Sequence, residues 1–115
     1  MKKTIVFFTL FCIAPVCAKS AGDPYMENML AAKSIADTSS TEGSLVTAAN
    51  YFIRIAGMNP DQWLPHYYAA YCFARISHMN HEADICDKWV DRAQSEVDKA
   101  FALAPGNAEV LVMKG

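Results

Sequence analysis

The sequence predicts an all-α protein, and three observations support this fold class. From Ser20 onward, apolar side chains recur at intervals of three and four, the spacing that places them on one face of a helix. Short clusters of turn residues separate these stretches, and no alternation of apolar and polar residues is long enough for a β-strand. With 115 residues in all, the chain has room for one domain.

The first eighteen residues have the pattern of a cleaved signal peptide. A short basic region precedes an apolar run from Ile5 to Val16, and Ala18 follows. The run is about a dozen residues, whereas a bilayer-spanning helix needs about 20. We therefore expect cleavage near Ala18, export to the periplasm or the medium, and a mature domain of residues 19–115. A lipoprotein is the alternative, but Val16 stands before Cys17, where lipid attachment favours Gly, Ala or Ser.

The charge of the mature chain excludes two classes of partner. Removal of residues 1–18 leaves 8 basic and 12 acidic residues, a net charge near −4. Nucleic-acid binding depends on clustered Lys and Arg, and so does attachment to an anionic membrane surface. We therefore expect a soluble protein that binds neither nucleic acid nor membranes after signal cleavage.

The first predicted hairpin covers about residues 24–58. Asp23 can cap free amides and Pro24 suits the first helical position, so a helix is expected to start here. The polar run 37–43 ends this helix. A second helix is predicted from about Ser44 to Gly57. Its apolar face contains Leu45, Ala48, Phe52 and Ile55.

The second predicted hairpin covers about residues 61–104. Its first helix is expected to start near Asp61, with Pro65 inside the first turn, where a missing amide costs little. After a polar interval, the next helix has a charged face and an apolar stripe. The stripe consists of Ile85, Trp89, Ala93, Val97, Ala100 and Leu103. Residues 108–115 are predicted to begin a further helix.

A shift of 45 residues aligns the two hairpins. The aligned pairs include Ala48 with Ala93, Phe52 with Val97, and Pro60 with Pro105. A small residue lets two helices approach closely, the apolar residue fills the space beside it, and proline ends the unit. This pattern, with Ala70 and Phe73 at the small and aromatic positions of the following helix, resembles the tetratricopeptide repeat (TPR) family over about residues 24–115.

The resemblance implies an α-solenoid of antiparallel hairpins. In such arrays the first helices of the hairpins line a concave groove that binds peptides or protein surfaces. The chain departs from the family in two ways: the period exceeds the usual length of about 34 residues, and His66 and Ala69 stand where a large aromatic residue and Leu are favoured. The longer period also suits HEAT-like pairs, so another α-solenoid or a helical bundle is the alternative.

One row of side chains is the candidate partner-binding surface. It consists of Trp63, Tyr67, Tyr71 and Arg75, spaced four residues apart. In a TPR-like hairpin this row would face the groove, and aromatic and Arg side chains supply most of the energy of protein interfaces. The alternative is that the tyrosines pack on neighbouring helices with their hydroxyls at the surface.

Two cysteines remain after signal cleavage, Cys72 and Cys86, in an oxidising compartment where disulfides persist. They lie seven residues to either side of Met79. A hairpin that turns at Met79 would bring them opposite one another, and side-chain direction then decides between two alternatives. They form a disulfide, or they are buried thiols that behave as small apolar residues.

No pattern in the sequence is typical of a catalytic or cofactor site. The segment from His81 to Ile85 begins like a zinc-protease motif but lacks its second His. The spacing of His78, His81 and Cys86 matches no zinc pattern. We therefore expect a non-enzymatic protein without metal or cofactor.

The sequence supports two hypotheses of function. The first is an exported scaffold that binds a peptide or protein partner through a helical-repeat groove. The second is a small structural or assembly subunit that self-associates through residues 108–115, where Val110, Leu111, Val112 and Met113 are apolar. Repeat arrays normally end in a polar capping helix, so this apolar end predicts either a homo-oligomer or a piece of a longer array.

Overall fold

A computed structural model describes residues 23–114, and the predicted signal peptide lies outside them. Five α-helices form in this part of the chain, and it contains no β-strand. They are α1 (Pro24–Thr38), α2 (Glu42–Met58), α3 (Leu64–Met79), α4 (Ala83–Leu103) and α5 (Ala108–Lys114). The prediction of an all-α fold is confirmed.

The helices pack in the order in which they occur along the chain. Each helix contacts the next one, and α1 also contacts α3. Since the connections between helices are only three to five residues long, consecutive helices run in opposite directions. This arrangement places α1, α3 and α5 on one side of the molecule, as the first helices of successive hairpins.

Local signals explain where the helices begin. The Asp23 side chain accepts a hydrogen bond from the Tyr25 amide at 3.2 Å, and Thr41 caps α2 through the Ser44 amide at 3.2 Å. Helix α3 begins at Leu64, three residues later than expected near Asp61. Residues 59–62 form a turn instead, closed by a bond of 3.0 Å from the Gln62 amide to the Asn59 carbonyl.

The main core lies between α1, α2 and α3. Helix α2 is its centre, because the side chains of Leu45, Ala48 and Phe52 are fully buried. Helix α3 supplies Phe73 and other buried residues from the facing side. The absence of a side chain beyond Cβ at Ala48 allows the neighbouring helix to approach closely.

Helices α3 and α4 are joined by aromatic and polar contacts. The rings of Phe73 and Trp89 stack with centroids 5.8 Å apart, and the Arg92 guanidinium lies 4.4 Å from the Phe73 centroid. Near the start of α3, His66 Nδ1 is 2.8 Å from Oε1 of the buried Glu96. This polar contact could not be predicted from the sequence, because Glu96 stands within the charged residues of an amphipathic helix.

The disulfide considered for Cys72 and Cys86 is not formed, and both residues are free thiols. Cys72 is fully buried in the core with α1 and α2. The Cys86 thiol lies at the end of α3, where it donates to the carbonyls of Ser77 and Asn80 at 3.2 and 3.1 Å. One thiol is therefore in the core and the other at the carboxyl end of α3, which residue spacing alone could not show.

None of the helices described combines the length and the apolar composition that spanning a bilayer requires.

Candidate functional site

A groove opens on the side of the molecule formed by α1, α3 and α5. It contains a cavity of about 280 Å³, and we refer to it as the tyrosine groove. Helix α3 supplies three of its residues and forms its floor, while α1 and α5 form its walls. The lining residues are Lys33, Ala36, Asp37, Tyr67, Tyr68, Tyr71 and Glu109.

Three tyrosines form the aromatic floor of the groove. Tyr68 is anchored in the core, where its ring stacks on Phe52 at a centroid distance of 5.2 Å. The Tyr67 ring meets Tyr68 edge-on at 5.4 Å, and Tyr71 lies one turn further along α3 with 42% of its surface exposed. The floor is therefore attached to the core on one side and accessible on the other.

The hydroxyl of Tyr67 connects the floor to the α5 wall. It donates a hydrogen bond of 3.0 Å to Oε2 of Glu109. Burial, followed by this hydrogen bond and the Glu109 charge, raises the pKa of Tyr67 above its ordinary value. The hydroxyl therefore keeps its proton and remains a donor at neutral pH.

Three contacts hold Glu109 in position on a helix of only seven residues. The Asn107 side chain accepts hydrogen bonds from the amides of Glu109 and Val110, at 2.9 and 3.2 Å, and so caps the start of α5. Val110 is almost completely buried. At the other end, Lys114 Nζ lies 3.0 Å from Oδ1 of Asp98 on α4.

The α1 wall carries an ion pair. Lys33 Nζ lies 2.9 Å from Oδ2 of Asp37, one helical turn away, and 6.0 Å from the centroid of the Tyr68 ring. The hydrogen bond to Asp37 raises the pKa of Lys33. Because both side chains are solvated, water screens this pair and it contributes little to stability.

The four residues predicted as a partner-binding row take different positions. Tyr67 and Tyr71 line the groove. Trp63 supports the Tyr67 ring from outside it, edge-on at 5.7 Å. The Arg75 guanidinium instead donates to the carbonyls of Ala36 and Ser39, at 3.0 and 3.2 Å, at the carboxyl end of α1.

Lys33, Tyr68 and Glu109 line the groove but were not predicted from the sequence. A signal existed for Lys33, since Asp37 follows it at the i,i+4 spacing of a helical ion pair. None existed for Glu109, which is 42 residues from the tyrosine that it contacts. Its place depends on how α5 turns back towards α3.

A second hollow adjoins the groove. It has a volume of about 370 Å³ and is lined by Tyr67, Ala108, Glu109 and Val112. Tyr67 and Glu109 line both hollows, so their hydrogen bond forms a shared wall between them. The second hollow adds apolar surface beside a carboxylate.

The tyrosine groove offers aromatic faces, one phenol that donates to a carboxylate, and one solvated ion pair. Across residues 23–114, no three His, Cys, Asp or Glu side chains are grouped as metal ligands. His78 and His81 are exposed, outside the groove.

Comparison with known proteins identifies no relative of this chain. No protein-family model, curated protein or solved structure significantly matches the chain.

Proposed function

We propose that this chain is an exported, non-enzymatic interaction domain of TPR-like type that binds a peptide or protein in the tyrosine groove. The observation that carries the proposal is the aromatic floor, where three tyrosines line an open cavity between α1, α3 and α5. Tyrosines are prominent in protein interfaces because they are large, rigid and able to form hydrogen bonds at one end.

The repeat pattern supports the TPR-like part of the proposal. The small residues Ala48 and Ala93 are buried, and so are the apolar residues Phe52 and Val97 that follow each by four positions. The tyrosine groove lies on the first helices of the hairpins, which is the side that TPR arrays use for binding. Export rests on the signal-like pattern of residues 1–18.

Selection from a phage-displayed library of random twelve-residue peptides, with the immobilised chain as bait, tests groove binding. Tyr67→Ala and Tyr71→Ala should weaken binding of the selected peptides by at least about tenfold, as expected for loss of interface hot spots. Tyr51→Ala is the matched control, since Tyr51 is a half-buried tyrosine on α2, outside the groove. Circular dichroism checks that each variant keeps its helical content.

Two results would contradict groove binding. One is a selection that enriches no peptide. The other is a set of enriched peptides that bind the Tyr67 and Tyr71 variants as tightly as the unmodified chain.

A second function, self-association, is favoured by exposed apolar side chains near α5. Val112 is 81% exposed, Leu111 46% and Val90 on α4 49%. Two copies that meet through α5 would remove Leu111 and Val112 from water. Light scattering after size-exclusion chromatography should then detect a dimer that Val112→Asp dissociates. A monomer at concentrations of about 0.1 mM and above would rule this function out.

A further inference from the structure

The charges that line the tyrosine groove do not balance. Lys33 and Asp37 neutralise one another at 2.9 Å. Glu109 accepts a hydrogen bond from Tyr67, a neutral group, and no Lys, Arg or His of residues 23–114 lies within 4 Å of its carboxylate. One negative charge on the groove wall is therefore uncompensated by a neighbouring side chain.

The aromatic floor also favours a positive charge close to Glu109. The faces of tyrosine rings are electronegative and attract cations within about 6 Å. Two of the three rings already have such a neighbour, since Arg75 lies 5.7 Å from the Tyr71 centroid and Lys33 lies 6.0 Å from that of Tyr68. The Tyr67 ring contacts the rings of Trp63 and Tyr68, and no Lys or Arg of residues 23–114 lies over it.

The hydrogen bond between Tyr67 and Glu109 brings these two preferences together. When a phenol donates a hydrogen bond to a carboxylate, negative charge builds up on the phenol oxygen, and the phenol ring becomes more electron-rich. A cation that lies against Tyr67 would thus meet both the ring and the carboxylate that polarises it. The adjoining hollow offers Ala108 and Val112 as apolar surface, which suits the methylene stem of a Lys or Arg side chain.

We infer that the tyrosine groove selects a peptide through a basic side chain, Arg or Lys, which contacts both the Tyr67 ring and the Glu109 carboxylate. This inference rests on the proposed function and specifies the ligand class of the same site. The net charge near −4 of residues 19–115 acts in the same direction, because it attracts basic peptides and repels acidic ones.

Three peptides that differ in one side chain test the inference on the full chain. They are acetyl-Ala-Ala-Xaa-Ala-Ala-amide with Xaa as Arg, as citrulline, and as Glu. Citrulline has nearly the shape of Arg without its charge. Titrations followed by amide chemical shifts should give a dissociation constant about fivefold lower for the Arg peptide than for the citrulline peptide, with the shifts centred on Tyr67 and Glu109.

The preference for Arg is the dissociation constant of the citrulline peptide divided by that of the Arg peptide. Substitutions in the groove should change this ratio in opposite directions. Glu109→Gln can still accept the hydrogen bond from Tyr67 but has no charge, so the ratio should fall close to one. Lys33→Gln frees Asp37 and should raise the ratio. Glu27→Gln is the matched control, because it removes the same charge from an exposed position on α1, outside the groove, and should leave the ratio unchanged.

The outcomes separate the inference from the proposed function. Equal binding of all three peptides, or tighter binding of the Glu peptide, at groove residues would overturn the inference and leave groove binding in place. Shifts at no groove residue with any peptide, together with a phage selection that enriches nothing, would overturn both. An equal loss of preference in Glu109→Gln and Glu27→Gln would attribute the preference to overall charge and overturn the role of Glu109.

Discussion

Arg75 on α3 donates hydrogen bonds to two carbonyls at the carboxyl end of α1. A free α-helix leaves its last carbonyls without hydrogen-bond donors. The guanidinium of Arg75 supplies two of them to α1 from the neighbouring helix, at Ala36 and Ser39. Arg75 thus contacts the end of α1 and does not line the groove, which the spacing of the row alone did not show.

Arg75→Ala should destabilise the folded chain by about 2 kcal/mol, because two half-buried carbonyl contacts lose a charged donor. Urea denaturation followed by circular dichroism measures the change. Arg54→Ala is the control, since Arg54 is exposed and its only described side-chain contact is with the Tyr51 ring at 5.6 Å. Its effect should stay within about 0.5 kcal/mol. Equal losses in the two variants would contradict the capping role of Arg75.

At the scale of single residues, the sequence predicted part of the candidate site. Tyr67 and Tyr71 line the groove. Four-residue spacing put them on one face of a helix, and the TPR resemblance implied that this face lines a groove. The spacing of residues along the chain predicts which side chains share one face of a helix, but not which helices come into contact. Glu109 therefore could not be assigned, since its contact with Tyr67 depends on the turn at residues 104–107 and on the packing of α5.

At the scale of secondary structure, α5 is the element on which the groove depends most. A helix of seven residues is unstable in isolation, because nucleation is costly and few hydrogen bonds follow. Its order comes from the Asn107 cap, the buried Val110 and the ion pair of Lys114 with Asp98. These contacts fix the wall that carries Glu109.

Asn107→Ala should increase the rate of amide hydrogen exchange throughout residues 109–114 by about fivefold, since loss of a cap costs about 1 kcal/mol. Amides in the middle of α2 should keep their protection. Asn107→Ser is the matched control, because serine retains an oxygen that can cap the helix, and exchange should stay close to that of the unmodified chain. Unchanged exchange in Asn107→Ala would show that packing alone orders α5.

At the scale of the whole molecule, the fold class followed from periodicity, and all helices of residues 23–114 pack on their neighbours in sequence. Contacts between neighbouring hairpins were less accessible to prediction. The direction of Cys72 is an example: both a bridge and a buried thiol fitted its position in the sequence, and the packing of α3 on α1 and α2 decided between them.

Burial of Cys72 has a consequence for global stability at alkaline pH. Burial raises the pKa of its thiol from 9.0 to about 11. Below pH 9 both folded and unfolded chains hold the proton, so this group adds no pH dependence. Between pH 9 and 11 the unfolded chain releases it and the folded chain keeps it. Stability must therefore fall as the pH rises through this window.

This contribution should amount to about 2 kcal/mol at pH 10.5 relative to pH 8. Urea denaturation of the unmodified chain and of Cys72→Ala at both pH values measures it. The variant is less stable at each pH but should lose about 2 kcal/mol less between them. Tyr25 and Tyr67, whose pKa values are also raised, contribute in both proteins and cancel. Identical losses would show that the thiol ionises alike in both states.

The shortness of α5 also links recognition to the folding of this helix. Glu109 forms the groove wall only while α5 is helical, so the affinity measured for a ligand equals the intrinsic affinity multiplied by the fraction of molecules in which α5 is folded. A change that unfolds α5 in half of the molecules would halve the affinity without touching a single contact residue. A bound ligand, in turn, would hold α5 in its helical form. The fraction of molecules that carry a ligand could then be followed from the helicity of α5, at the carboxyl-terminal end of the chain.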